Sequence, residues 1–125
     1  MAKCTPSFEP ELHLDEDVLV PDLAGWRRTR LPTIPDTAFF TVAPDWICEV
    51  LSPGTARLDR QKKLVVYARE GVGHAWLLDP LQRTLEILRL EGGHWVIVGI
   101  HADQDEVRAE PFEATSLELA RLWAD

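Results

Sequence analysis

Trp46-Ile-Cys-Glu-Val-Leu51 opens the stretch of sequence that decides the fold, 46-WICEVLSPGTARLDRQKKLVVYAREGVGHAWLL-78. Its first six residues form an almost continuous apolar run, which is typical of a buried strand. A Ser-Pro-Gly turn follows, and Thr55 is a suitable N-cap for a helix that runs to about Glu70 and is closed by glycine. A second apolar run at 74–78 completes a strand–helix–strand unit, which predicts a right-handed crossover within a mixed sheet.

The residues after this unit predict further strands and a short helix. Strand-like runs at 84–90 and 94–100 are separated by Glu-Gly-Gly, which is hairpin chemistry and indicates antiparallel additions to the sheet. From Ser116 to Trp123 the chain has a capping serine and apolar residues on one face, which predicts a short final helix.

The residues before residue 46 give weaker patterns. A short apolar run at 18–24 indicates a strand, and Pro21 within it marks an edge or an end. Residues 1–16 hold two prolines among acidic residues and are predicted to be a loop or a poorly ordered tail. The predicted fold is therefore a single α/β (α+β) domain over residues 17–125, a mixed β-sheet core with flanking helices.

Composition excludes several classes of function. The chain has 125 residues, net charge −8 and a pI near 4.9, which argues against coating a polyanion by bulk attraction. It does not exclude an enzyme that reaches nucleic acid locally through metal ions. No apolar stretch approaches the roughly 20 residues of a membrane helix, no secretory signal is visible, and the histidines and cysteines lack zinc spacing. We expect a reduced, cytoplasmic protein without a membrane anchor.

Glu49 is the most informative single residue. It lies inside an apolar strand, where a buried charge without a partner costs several kcal/mol. Strand alternation places Ile47, Glu49 and Leu51 on one face. A carboxylate at a strand end that pairs with an arginine is an equally good interpretation of this spacing.

Asp22 supplies a second carboxylate at the end of a predicted strand. Alone, Pro21-Asp22 also fits an ordinary turn or cap aspartate. Two strand-end carboxylates can instead converge on one divalent cation, because Mg²⁺ takes one or two protein carboxylates and completes its shell with water and phosphate oxygens. That arrangement suits metal-assisted phosphodiester hydrolysis.

The predicted helix carries a third candidate group. Asp59, Lys63 and Tyr67 are spaced four residues apart and line one edge of it. Asp59 before Lys63 is also the favourable order for a plain surface salt bridge worth a few tenths of a kcal/mol.

Ordered motifs along the chain resemble a known family. These are Val20-Pro-Asp-Leu-Ala, Glu49-Val-Leu-Ser-Pro-Gly-Thr55, Asp59-Arg-Gln-Lys-Lys63, Tyr67-Ala-Arg-Glu-Gly-Val72 and Trp76-Leu-Leu-Asp-Pro80. Together they resemble the Uma-two restriction endonuclease family of the PD-(D/E)XK nuclease superfamily, from about Pro10 to Trp123. The resemblance implies a restriction-endonuclease-like fold and a Mg²⁺- or Mn²⁺-dependent endonuclease that acts on DNA, with a homodimer expected by analogy.

The same resemblance implies roles for individual residues. Asp22 and Glu49 match the two metal-binding carboxylates, and Lys63 matches the lysine that orients the attacking water and stabilises charge. Asp59 would support Lys63, and Tyr67 would pack or anchor a hydrogen bond at the base of the helix.

Two departures from the family pattern support an alternative function. Leu51 stands where the superfamily usually has its lysine, and the family's usual N-terminal segment is not recognisable, so the chain resembles an N-terminally shortened member. The alternative is a catalytically inactive nuclease-fold module that serves binding or assembly.

A basic segment follows Asp22 in the sequence. Arg27, Arg28 and Arg30 could contact a DNA backbone. A solvated basic loop explains them equally well.

Overall fold

The computed structural model describes residues 3–53 and 56–123. In this part of the chain it contains ten strands, one α-helix and one short 3-10 helix. The strands are, in chain order, β1 (Cys4–Phe8), β2 (Leu12–Leu14), β3 (Asp17–Leu19), β4 (Leu23–Arg27), β5 (Trp46–Val50), β6 (His74–Asp79), β7 (Thr84–Glu91), β8 (His94–Ala102), β9 (Glu106–Val107) and β10 (Leu117–Glu118). The helices are α1 (Ala56–Arg69) and the 3-10 helix Leu119–Leu122.

Six of the strands form one mixed sheet in the order β1-β4-β5-β6-β7-β8. Strands β5 and β6 are parallel and are connected through α1, whereas the other neighbours in the sheet are antiparallel. A parallel pair needs a crossover connection, which the sequence supplies as a helix. The predicted mixed sheet of an α+β fold is confirmed.

The helix of the crossover occupies the predicted place. It spans Ala56–Arg69, and the proposed N-cap Thr55 lies outside the described residues. Its C-terminal end is closed by Gly71 at φ 78°, a left-handed conformation that glycine adopts without steric cost. Within residues 3–53 and 56–123 no helix is long and apolar enough to cross a membrane.

The main sheet separates two apolar clusters. Ile47 on β5 is buried with Tyr67 in the cluster beneath α1. Trp46, its neighbour in the chain, points to the opposite face and packs edge-to-face on Trp76 and Phe112, with ring centroids 5.3 and 5.1 Å away. The predicted alternation of β5 is confirmed, so Glu49, in phase with Ile47, lies on the helix side of the sheet.

Residues 1–16 are not a loop or a tail in the part that the structure describes, and that prediction is wrong. β1 pairs with β4 at the edge of the main sheet, and β2 forms a hairpin with β3. Leu12 and Leu14 are almost fully buried in the cluster beneath α1. These strands are short and interrupted by prolines and acidic residues, so their alternation is hidden in the sequence.

The predicted final helix is also wrong. Leu117–Glu118 pairs with Glu106–Val107 as a small antiparallel ladder, and only a single 3-10 turn, Leu119–Leu122, follows. Leu119 is fully buried and its N–H donates to the Asp105 carbonyl at 3.0 Å. The apolar spacing that suggested a helix instead places one leucine under the sheet.

An ion pair fastens the C-terminal segment to the sheet. One Arg89 nitrogen, Nη1, donates to both Glu110 carboxylate oxygens at 2.7 and 2.8 Å, and the Trp76 indole N–H donates to the Glu110 carbonyl at 2.7 Å. The two Arg89 bonds are charge-assisted, and all three hold the segment around Glu110 over the face opposite α1. The candidate site lies on the other face of the sheet, which α1 covers.

Candidate functional site

Antiparallel pairing of β4 with β5 brings Asp22 and Glu49 together. Leu23 is the partner of Cys48 in this ladder, so the residue before β4 faces the end of β5. The Asp22 N–H donates to Glu49 Oε1 at 3.2 Å, and the Val50 N–H donates to Asp22 Oδ2 at 2.6 Å. Asp22 therefore precedes a strand and does not end one as predicted, because Pro21 separates β3 from β4.

Glu49 is a deeply buried carboxylate. Only 5% of the residue is exposed, although Glu49 is the penultimate residue of β5. Burial raises the pKa of Glu49 above its usual value, while the positive charge of Lys63 acts in the opposite direction. A carboxylate kept in such surroundings needs a cationic partner to remain ionised.

Lys63 is that partner. Its Nζ lies 3.1 Å from Glu49 Oε2 and 3.7 Å from Asp59 Oδ2, and it donates to the Val20 carbonyl at 3.1 Å. The Asp59–Lys63 pair at the surface is thus real, but the shorter contact goes inward to Glu49. Neither the arginine partner considered for Glu49 nor an isolated surface salt bridge describes the arrangement.

Tyr67 lies one further turn along the helix and is fully buried. Burial, and after it the negative charge of Glu49, raises the pKa of the Tyr67 phenol. A side-chain interaction between the Tyr67 hydroxyl and Glu49 raises this pKa further, so the hydroxyl lies next to the carboxylate. Tyr67 therefore packs the helix onto the sheet and places its phenol beside Glu49.

A shallow cleft of about 370 Å³ opens beside Lys63. Its lining residues come from β3, the segment after it, and the exposed side of α1; they are Asp17, Val18, Leu19, Val20, Asp59, Lys62, Lys63 and Val66. The cleft combines apolar walls with two ammonium groups and two carboxylates. It leads from solvent to the lysine end of the site.

The arginines after Asp22 lie elsewhere. Arg27 ends β4, about 16 Å along the strand from Asp22 at roughly 3.3 Å per residue. Arg30 Nη1 forms an ion pair with Asp45 Oδ1 at 2.9 Å, and the Arg27 N–H donates to Asp45 Oδ2 at 2.7 Å. The structure does not bring Arg27, Arg28 and Arg30 to the carboxylates, and Asp45, directly before β5, is the group that contacts Arg27 and Arg30.

The donor set fits a hard divalent cation that water and substrate also coordinate. In residues 3–53 and 56–123, no group of three or more His, Cys, Asp or Glu side chains is placed to hold a metal ion. Asp22 and Glu49 are nevertheless linked by two hydrogen bonds from backbone N–H groups to carboxylate oxygens, and Glu49 Oε2 is paired with the Lys63 ammonium. Two neighbouring carboxylates suit Mg²⁺ or Mn²⁺, which prefer oxygen ligands and retain waters.

Comparison with known proteins identifies the family. None of the curated proteins matches this chain at a significant level. The crystal structure of "a putative nuclease belonging to DUF820" from Anabaena variabilis ATCC 29413 superposes with a TM-score of 0.76 at 22% identity, over 96% of this chain and 68% of that one. This likeness shows a shared fold. The Uma2 family model, described as "Putative restriction endonuclease", matches residues 2–121, and the chain belongs to that family.

Proposed function

We propose that this protein is an endonuclease that hydrolyses DNA phosphodiester bonds with Mg²⁺ or Mn²⁺ as its cofactor. One observation supports the proposal most directly: β4, β5 and α1 bring Asp22, Glu49 and Lys63 into one connected group. The family's description as a restriction endonuclease and its nuclease-like fold agree with this chemistry.

Asp22 and Glu49 would hold the divalent cation. Such a cation supplies Lewis acidity and makes water a stronger nucleophile at neutral pH. The Val50 N–H occupies Asp22 Oδ2, which orients the Asp22 carboxylate, and the Asp22 N–H does the same for Glu49 Oε1. Each carboxylate therefore accepts a hydrogen bond from a backbone N–H at or next to the other carboxylate residue. These bonds fix the orientation of both groups, as precise metal ligation requires.

Lys63 would act on water and on phosphate oxygens. Its ammonium has three donor hydrogens, and the Val20 carbonyl accepts one of them. Glu49 Oε2, at 3.1 Å, accounts for a second hydrogen, and the third faces only the more distant Asp59 at 3.7 Å. That third hydrogen would orient the attacking water and stabilise negative charge on the phosphate. Asp59, more exposed, supports the ammonium from the solvent side.

The second candidate is a catalytically inactive nuclease-fold module for binding or assembly. Leu51 favours it, because its side chain packs against the apolar cluster at the position where the superfamily usually has a lysine. Lys63 favours it too, since the ammonium already lies beside the carboxylate that would bind metal. Under this alternative, the ion pair is a structural element of the fold.

Cleavage of supercoiled plasmid DNA tests the proposal. We expect nicked and linear product in Mg²⁺ or Mn²⁺ and none with chelator. Asp22→Ala, Glu49→Ala and Lys63→Ala should each lower the rate by at least about 100-fold, the usual effect of removing a group that stabilises a transition state.

Two matched variants control this assay. Asp36→Ala removes an exposed acid from the loop before β5, and Arg121→Ala removes an exposed cation from the 3-10 helix, away from the site. Both should cut within a few-fold of the unmodified protein. Equal cutting by the unmodified protein and the three site variants would exclude this assignment, and absence of cutting under all metal conditions would favour the inactive module.

A further inference from the structure

One of the five tryptophans differs from the other four in its hydrogen bonding. The indole N–H groups of Trp26, Trp76, Trp95 and Trp123 each donate to a backbone carbonyl at 2.7 to 2.9 Å. The Trp46 N–H has no hydrogen-bond partner among the residues that the structure describes, and only 7% of this residue is exposed. Because a buried donor without an acceptor is costly, a ligand that supplies an acceptor here would gain affinity.

Trp46 lines a small apolar pocket on the face of the sheet opposite α1. The pocket measures about 250 Å³, and its walls come from the sheet and from the segment after β8: Trp46, Trp76, Val107, Ala109, Phe112 and Leu117. Trp76, Phe112 and Leu117 are partly exposed, so apolar surface stays open to the pocket. Sites for cofactors and drug-sized ligands usually measure about 300–1,000 Å³. A smaller pocket suits one large apolar side chain better than a whole cofactor.

The aromatic residues of the pocket meet edge to face. The Trp76 and Phe112 ring centroids are 5.7 Å apart with the planes at 87°, and Trp46 meets both rings at similar angles. Aromatic rings prefer this geometry, which stabilises a pair beyond the area that the rings bury. A further ring that enters the pocket can contact the same residues in the same way, so the lining favours a phenyl group.

Acidic side chains border the pocket. Residues 103–118, which form one side of it, hold six acidic residues and a single arginine. Glu106 accepts from the hydroxyl of the lining residue Ser116, and Glu113 lies between two lining residues in the chain. Both glutamates are exposed, and neither forms an ion pair with a described residue, since Arg108 donates only to backbone carbonyls. An anionic border around an apolar pocket complements a cation next to an apolar group.

We propose that this pocket binds a positively charged peptide segment of another protein, which inserts one phenyl side chain between Trp46, Trp76 and Phe112. Lysine or arginine side chains beside the phenyl group would face Glu106 and Glu113. A backbone carbonyl of the peptide would accept from the Trp46 N–H. Since this N–H is closed off from solvent, a shift of the partly exposed Trp76 or Phe112 ring would accompany the bond.

Titration of the full chain, labelled with nitrogen-15, tests the proposal with neither metal nor DNA present. The probe is a short synthetic peptide of lysines and serines around one central phenylalanine. The indole N–H resonance of Trp46 should move with added peptide, whereas those of Trp26 and Trp95, which lie on the α1 side, should not. Replacing the central phenylalanine of the peptide with alanine should weaken binding at least about tenfold, because the buried phenyl surface is lost.

Variants of the protein test the acidic border. Glu106→Gln and Glu113→Gln should each weaken binding about two- to fivefold at low salt, and added salt should act in the same direction. Asp36→Asn, at an exposed acid in the loop before β5, is the matched control and should bind as the unmodified chain does.

Four results overturn the proposal. One is a Trp46 resonance that stays fixed at millimolar peptide. Another is equal binding of the alanine peptide, which would leave charge alone as the cause. A third is equal binding of a peptide with glutamates in place of its lysines. The last is binding of N-acetyl-phenylalanine amide as tight as that of the peptide, which would make the occupant a small molecule.

Discussion

Glu49 and Lys63 form an ion pair in which the two partners are buried to different extents, so removing one should not cost the same as removing the other. The Glu49 side chain is 7% exposed, whereas the Lys63 side chain is 22% exposed. Lys63→Met leaves a carboxylate whose pKa burial has already raised, now without its cation. Breaking a fully buried pair costs about 3–5 kcal/mol, and the water near Lys63 reduces the expected loss to about 2–3 kcal/mol.

Glu49→Gln should be far milder. The amide keeps the shape of the side chain, and its oxygen still accepts from the Asp22 N–H. Lys63 retains the Val20 carbonyl and Asp59. We therefore expect the free energy of unfolding to change by less than about 1 kcal/mol, since a buried charge is removed and the remaining cation reaches water.

Urea unfolding at pH 7 measures both effects, with the double variant closing the cycle. The double variant should recover most of the stability lost in Lys63→Met, because no charge is then buried alone. For a chain of this size, about 1 kcal/mol corresponds to a shift of roughly 3–5 °C in Tm. Equal losses in the two single variants, or no recovery in the double variant, would refute this account of the pair.

The pH dependence of the same variants has a definite sign. A carboxyl whose folded pKa is raised contributes stability that is full below its unfolded pKa, about 4.5, and is lost as the pH rises through the folded pKa. The deficit of Lys63→Met should therefore shrink as the pH falls through that window. If the stability loss of Lys63→Met instead grew on acidification, that result would contradict the raised pKa of Glu49.

Three further changes probe other parts of the molecule. Tyr67→Phe removes a buried hydroxyl that lies beside the Glu49 carboxylate, so stability in urea should fall by about 0.5–1.5 kcal/mol; unchanged or higher stability would mean that the hydroxyl makes no net contribution. Leu12→Ala should cost about 2–5 kcal/mol, against less than about 1 for the exposed Val18→Ala, and equal effects would argue against a buried β2. Burial lowers the pKa of His74, so its contribution is present above pH 6.5 and lost on acidification; His74→Gln should flatten the decline between about pH 7 and 5.

The crossover was predictable because each of its signals is local. The apolar run at β5, the glycine after α1 and the apolar start of β6 lie within one stretch of chain, and each indicates its own element. Strand alternation placed Glu49 on the same face as Ile47, and the structure shows that this face is the one covered by α1. The four-residue spacing of Asp59, Lys63 and Tyr67 likewise placed Lys63 on one edge of the helix.

The edges of the fold were not predictable in the same way. β1, β2 and β3 have five residues or fewer and gain their order from strand pairing and burial, not from their own pattern. The final segment around Leu119 has spacing that fits a helix or a single 3-10 turn equally. Tertiary contacts with Asp105 and β9 decide between them.

The electrostatic detail of the site also lay beyond sequence reasoning. The sequence placed Arg27, Arg28 and Arg30 close to Asp22 in the chain, but β4 runs between them and carries the arginines to the opposite end. The contacts of Arg27 and Arg30 with Asp45 depend on the β4–β5 register, which no single segment encodes. The approach of Lys63 and Tyr67 to Glu49 likewise emerges only from the packing of α1 on the sheet.

Calorimetric titration with Mn²⁺ tests most directly the claim that Asp22 and Glu49 form a metal site. The unmodified chain is expected to bind one ion, with Asp22→Asn and Glu49→Gln each abolishing the heat of binding while circular dichroism stays native. Asp36→Asn, an exposed acid on the loop before β5, should bind as the unmodified chain does. Binding that survives both site variants, or a folded protein that takes up no divalent ion, would contradict the central claim.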